Sequence, residues 1–443
     1  MAELKIIRTA AEEGLAEAFQ GARASLPGAA SVKSLRESAF RTFETKGLPN
    51  RRVEEWKYTD LRTLMRDAKP LAPPPDSAAR LKAKSAGAFA GAAKARRVVI
   101  LDGVFAADLS DLAGLEPELT IGSLGEALSS GDADVVARLS RRSALADDPA
   151  FALNTAMMSD GAVIRVADGA AVARPIHLVF VTSATKPVSV FTRCLVSVGK
   201  GGSLTIIESH DSGDSVDNQA NHAFDIAIAD EGRLDHVKVV REGDRALHVA
   251  SVVTEIGANA HLNAFTFTVG GAVTRNQTAM RLNGSGTHAA IRGATLLKGR
   301  QHADNTLIAD HAVGHCESRE LFKSVLDDES RSVFQGKIIV QPHAQKTDAK
   351  MATHALLLSE NAEADAKPEL EIFADDVVCG HGATTGALDG DLVFYLRSRG
   401  IPQTEAEALM IKAFIGEAVE AVENEAVREA LMDLARAWLR ARA

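Results

Sequence analysis

In residues 375–390, DDVVCGHGATTGALDG, a single glycine separates Cys379 from His381. Strand side chains alternate with period two, so in a strand this step would put thiol and imidazole on the same face. A histidine beside a cysteine can lower the thiol pKa, which makes the pair a candidate reactive group. The same two residues can equally be a small buried thiol and a hydrogen-bonded histidine that close the last coil of a core. Gly380, Gly382 and Gly386 allow a tight turn or the close approach of another surface, so the stretch is expected to be a loop that presents both groups.

A second cluster lies in HADNTLIADHAVGHCESRE, with His302, His311, His315 and Cys316 close in sequence. On a helix His311 and His315 would share a face and could bind a metal. With no carboxylate pattern to orient them, exposed polar histidines on turns are the competing reading. The phosphate-binding pattern G-x-x-x-x-G-K-[ST] is missing, so no ATP site is expected in this chain. Without C-x-x-C or H-E-x-x-H, neither a zinc ribbon nor a zincin is supported. The three cysteines, Cys194, Cys316 and Cys379, are dispersed, and an ordinary four-thiolate iron-sulfur site would need ligands from outside the chain.

The elements that must position these residues fall into three regions. Residues 1–156 read as helical and mixed, with helices over about 9–19 and 34–46, the second ended by Gly47 with Pro49 beyond. Thr59 can cap a short helix after EEWKY. The Pro- and Ala-rich run KPLAPPPDSAARLKAKSAGAFAGAAKAR then reads as a solvated linker. Residues 157–388 repeat a polar turn followed by alternating apolar residues (GGSLTII, EGRLDHVKVV, ANAHLNAFTF) at intervals of roughly 30 residues, which predicts a β-solenoid. A β-sandwich is the alternative. Residues 389–443 return to helix. Thr404 and Glu407 have capping-box spacing, and Leu409, Met410, Ala413, Phe414 and Ala418 form an apolar stripe that caps the solenoid or docks a partner.

With 443 residues, 46% of them hydrophobic, the chain can bury two or three cores. A net charge of −9 without a basic stripe argues against nucleic acid. The N-terminus lacks signal-peptide features and no long apolar run predicts a membrane span, so a reducing cytoplasm is the expected location.

The block DDVVCGHGATTGALD with FYLRSRGI, the run FQGKIIVQPHAQKTDAKMATHALLLSENAEADAKPELEI and the N-terminal RRVEEWKYTDL closely resemble the SufB/SufD family of iron-sulfur cluster assembly proteins. EEWKYTDL and FYLRSRGI are similar to the SufD branch. The resemblance implies a mainly β protein, a right-handed parallel β-helix flanked by N- and C-terminal α-helical domains. It implies pairing with SufB, docking of the SufC ATPase through the C-terminal helices (Leu409, Met410, Ala413, Phe414), and a transient iron-sulfur cluster at the shared interface. His381 takes the position of the family's functional histidine and would ligate iron with a thiolate from SufB, with Cys379 as an auxiliary. A flavin in the complex and self-pairing of the isolated chain are further implications. Two alternatives remain: a purely structural partner of SufB, and a carbohydrate-active β-helix enzyme, which would need clustered carboxylates and a secreted context.

Overall fold

The computed structural model describes residues 8–442. The first residues of the N-terminal segment read for a targeting signal lie outside them. Among the described residues no helix is long and apolar enough to cross a membrane.

Successive strands alternate between a nine-stranded and a ten-stranded sheet, so each coil contributes one strand to each. Strands of the larger sheet start at Ser203, Arg233, His261, His288, Glu317, Asp348 and Val378, a repeat of about 30 residues. Coil stacks on coil in parallel register, as where Glu317–Leu326 pairs with Asp348–Leu357. The fold is therefore the expected parallel β-solenoid, and the sandwich alternative falls. Gly201, Glu231, Asn259, Gly286, His315 and Lys346 all have positive φ, and each stands two residues before one of these strands. A left-handed residue makes this corner before every one of these strands except Val378, and Gly271, Gly299 and Asp328 add a second at the other corner of three coils.

Alternate residues of each strand point inward. Leu204 and Ile206 meet Phe224, Ile226 and Ile228 across the lumen in a continuous apolar core that runs along the solenoid. The larger sheet reaches back before residue 157, because Arg96–Leu101 pairs in parallel with Ile176–Thr182.

The helices cover the outer walls. Ala10–Ala22 starts with a reciprocal capping box between Thr9 and Glu12, and Ala30–Lys46 ends at Gly47, where φ is 70°. Asp60, not Thr59, caps the short helix Leu61–Leu64. Thr59 is buried instead, with its hydroxyl against His302 (2.9 Å) and Asp304. Beside it the Arg275 guanidinium stacks on Trp56 at 3.8 Å and pairs with Asp304, both charges fully buried. The EEWKYTDL segment is thus fastened to the outer face of the nine-stranded sheet.

The Pro- and Ala-rich run, although half of its residues are exposed, is anchored to the solenoid wall and is no free linker. Ser189 and Ala72 exchange backbone hydrogen bonds with this segment and the wall (Ser189 N–H to Pro70 O 2.7 Å, Ala72 N–H to Ser189 O 3.0 Å). Ala79 and Ala83 then pack on Val99, Leu101, Val179 and Val181. Short side chains let a backbone lie close to a flat sheet, so a run poor in large apolar residues can still be anchored through residues such as Ala79 and Ala83.

The C-terminal helices Gln403–Val419 and Glu425–Arg442 do not cap the solenoid. Ile411, Ile415, Ala418, Val427, Leu431, Ala435 and Trp438 lie against Phe265, Phe267, Leu296 and Val325 on the outer face of the ten-stranded sheet. The buried stripe is rotated from the one expected. Leu409 and Ala413 face outward, Met410 is half-buried, and Phe414 packs locally under the Lys323 ammonium, 4.6 Å from its ring centroid. No side chain caps Gln403–Val419, so the Thr404/Glu407 box does not form. Asn424 does cap the last helix, accepting from the Val427 N–H at 3.1 Å.

Candidate functional site

Because the hairpin lies on the side wall, the C-terminal end of the solenoid is open. Its last two strands, Glu363–Ile372 and Val378–Ala387, are the edges of the nine- and ten-stranded sheets. The stretch containing Cys379 and His381 is therefore an edge strand, not a loop. Val378–Ala387 pairs on one side with Asp348–Leu357 and has no neighbour among the described residues on the other. The Val378 N–H donates to Thr347 O at 2.8 Å. With period two, the N–H groups of Cys379, His381, Ala383 and Thr385 point to the free side.

Cys379 and His381 share the inward row, as their spacing predicts. Cys379 is half-buried against the end of the lumenal core, and His381 is exposed. Register stacks Ser318, Ala349 and Cys379 in one column and Glu320, Met351 and His381 in the next. Burial pushes the Glu320 carboxyl up to about 8, so it is a neutral acid at pH 7. Burial also raises the Cys379 thiol, with the Asp348 carboxylate acting in the same direction. The thiol is thus held protonated, contrary to a histidine-activated thiolate. Gly380, Gly382 and Gly386 take ordinary extended φ, and a Cβ on any of them would meet nothing within 4 Å. They make no turn; they leave the outer row of the edge strand almost bare. In the preceding turn Asp376 is tied to the coil before by Lys346.

Large apolar side chains are exposed around this end. Phe373 and Val378 are each 61% exposed, Phe394 73% and Tyr395 50%. Phe394 and Tyr395 stand on helix Gly390–Ser398, the segment with the FYLRSRG motif, which buries none of its residues.

The other suggested group does not assemble. Residues 302–311 form a strand, so His311 and His315 share no helical face. His302 points out to Thr59, His311 points in to Ser318 Oγ at 3.0 Å, and His315 is a corner residue. Cys316 is buried, with its Sγ donating to Gly284 O at 3.2 Å. All three cysteines are free, and burial raises every thiol.

A different group does come together. His210, His222 and His248 meet inside the lumen, all fully buried. Burial holds all three rings below the ordinary imidazole range, His222 and His248 well below it. His222 lies between Ala220 and Phe224 at i±2 and His248 between Ala246 and Ala250, a parity that signals inward placement, whereas His210 lies between Glu208 and Ser212 and carries no such signal.

Comparison with known proteins identifies the family. The SufBD core domain of the SUF iron-sulfur cluster assembly system matches residues 180–414, and the SufBD N-terminal region matches residues 10–178. The iron-sulfur cluster assembly protein SufD of Escherichia coli K12 is 32% identical over 389 residues, which span 87% of this chain and 88% of that protein. The chain belongs to the SufB/SufD family. Within it, a SufBD family protein of Synechocystis is 30% identical over 87% of this chain and 86% of its own length. The SufD of Bacillus subtilis is 28% identical over 64% of this chain and 65% of its own. Family membership is SufD-like, and the expected β-solenoid with helices on both sides is what the structure has.

Proposed function

We propose that the chain is the SufD-type subunit of a scaffold that assembles iron-sulfur clusters as cargo, joined through the Val378–Ala387 edge to a SufB-type partner. The observation that carries this reading is His381, an exposed imidazole on the inward row of a strand whose free side has no neighbour among the described residues. Imidazole is a good ligand for iron. A metal ion there would be enclosed on one side only, so the remaining ligands, a thiolate among them, come from the partner. Cys379 acts as an auxiliary ligand that loses its proton when metal arrives, because its thiol is otherwise held neutral. A SufC-type ATPase would dock on the outward side of the C-terminal hairpin, where Leu409 and Ala413 are exposed and Met410 is half-buried. The Phe414 ring is already occupied by Lys323 and supports that surface from beneath.

The test is His381→Ala in the co-expressed three-subunit complex, reading subunit co-purification together with iron and sulfide content after anaerobic reconstitution. Unchanged association with lost cluster is expected. The exposed Phe373, Val378, Phe394 and Tyr395 favour a second reading, in which this chain only supports its partner structurally. Normal cluster content in His381→Ala would establish that second reading and remove the first.

A further inference from the structure

Far from the open end, the lumen contains a polar chamber. His210 comes from the strand Ser203–Ser212 of the larger sheet, His222 and His248 from Gln219–Ile228 and Leu247–Ile256 of the smaller one. One ring nitrogen from each lies within 4.8 Å of the others, and the ring centroids are 4.5 Å (His210–His222), 4.7 Å (His210–His248) and 5.3 Å (His222–His248) apart.

Each ring is held by one nitrogen. His210 Nε2 meets Glu208 Oε1 at 2.5 Å, His222 Nδ1 meets Thr192 Oγ1 at 2.6 Å, and His248 Nδ1 meets Glu242 Oε2 at 2.7 Å. The opposite nitrogens of His210 and His222 are buried without a hydrogen-bond partner. That of His248 has only the Lys238 ammonium, 3.1 Å away. A buried ring nitrogen without a partner bears its full desolvation cost, so two in one chamber need a reason. Histidine ligands of metals have this arrangement, one nitrogen on the metal and the other fixed by a carboxylate or hydroxyl.

The geometry points to a resident metal site here, in which His210, His222 and His248 bind one divalent first-row transition ion of the zinc or iron type and leave a fourth position open. Three neutral imidazoles suit that class. A metal-nitrogen distance of about 2.0–2.1 Å requires each ring to move inward by about 1 Å or less. Lys238, also 3.7 Å from Glu208, is the cation that a metal would displace. The lumen around the site is packed, so the ion enters as these coils fold. The inference is independent of the function proposed for the open end.

The full chain would be produced in minimal medium supplemented with Zn(II) or Co(II), purified, treated with EDTA, and assayed for metal by mass spectrometry and for tetrahedral cobalt by visible absorption. We expect about one retained ion per chain, equally in wild type, His381→Ala and Cys379→Ala. His222→Asn preserves an amide opposite Thr192 and deletes the free nitrogen, and should retain at least tenfold less metal. Lys238→Met removes the competing ammonium and should lose metal to EDTA about tenfold more slowly, a readout that does not depend on whether His222→Asn folds. Metal-free wild type from both media would overturn the site. So would metal retained undiminished by folded His222→Asn, or unchanged EDTA kinetics in Lys238→Met.

Discussion

The two strands that end the solenoid, EADAKPELEI at Glu363–Ile372 and VCGHGATTGA at Val378–Ala387, have the same length and pair with the coil before in the same way. They differ in how they meet solvent. The first carries Lys367, Glu369 and Glu371, and Lys367 folds back onto Glu54 at 2.5 Å. It also carries Pro368. Because the Glu363 N–H donates to Ser330 O, the even positions face the free side, and Pro368 removes a donor there. Charge and proline are the usual means of keeping an edge from pairing. The second strand has neither. At the opposite end of the solenoid both sheets finish in shorter antiparallel strands, Val104–Phe105 and Leu119–Ser123. One long edge is left competent to pair, and it is the one that carries His381.

The contrast between a fastened wall and a bare edge can be broken by substitution. Asp304→Ala leaves the fully buried Arg275 guanidinium without its counter-ion, and we expect a loss of about 3–5 kcal/mol in chemical denaturation. His381→Ala should shift the same curve by no more than about 0.5 kcal/mol, as an exposed residue does. A large loss in His381→Ala would mean that the edge is structural.

Ala383→Pro deletes a free-side N–H of Val378–Ala387 as Pro368 does on the neighbouring strand. Affinity for the SufB-type partner should fall by about tenfold or more, equivalent to about 1.4 kcal/mol, in a binding titration. Ala366→Pro, the matching change on the protected edge, should leave affinity unchanged. Equal effects from both would remove the distinction between the edges.

Glu320 provides a pH test beneath the site. Its pKa is raised to about 8 from 4.5, so the native chain binds the extra proton between these values. The stability from this group is full below about 4.5 and is lost as pH rises through 8. Glu320→Gln should flatten that decline in stability measured across pH 5–9, and an unaltered slope would place the titrating group elsewhere. The smallest effect is expected at Leu409→Ser on the outward side of the hairpin, where stability should change by about 0.5 kcal/mol or less while co-purification of the ATPase subunit weakens. A marked loss of stability would show that Leu409 packs in the wall.

Much of this was legible because it is periodic. The coil repeat, the Gly47 stop and the shared row of Cys379 and His381 all follow from local spacing. What was not legible depends on what lies across a gap. The Ala-rich run looked solvated because sequence does not disclose that a flat wall passes beside Ala79 and Ala83. Helix Gln403–Val419 is rich in apolar residues all round, which left its buried face undetermined, and the face with Ile411 and Ile415 won over the one with Leu409 because Phe265 and Phe267 lie beneath it. The three-histidine chamber draws on strands from two sheets, so no linear motif announces it.

The difference between the short antiparallel strands at one end and the long parallel strands at the other also bears on how large an assembly could grow. A β-solenoid with two bare ends would add copies head to tail without limit, because each addition recreates the same end. In the pairing proposed here both open ends would be used and only the short antiparallel strands would face outward, so growth along the solenoid axis would stop at two members. On that proposal, stoichiometry along the axis would follow from the chain's own terminal strands, before any partner's preference is considered.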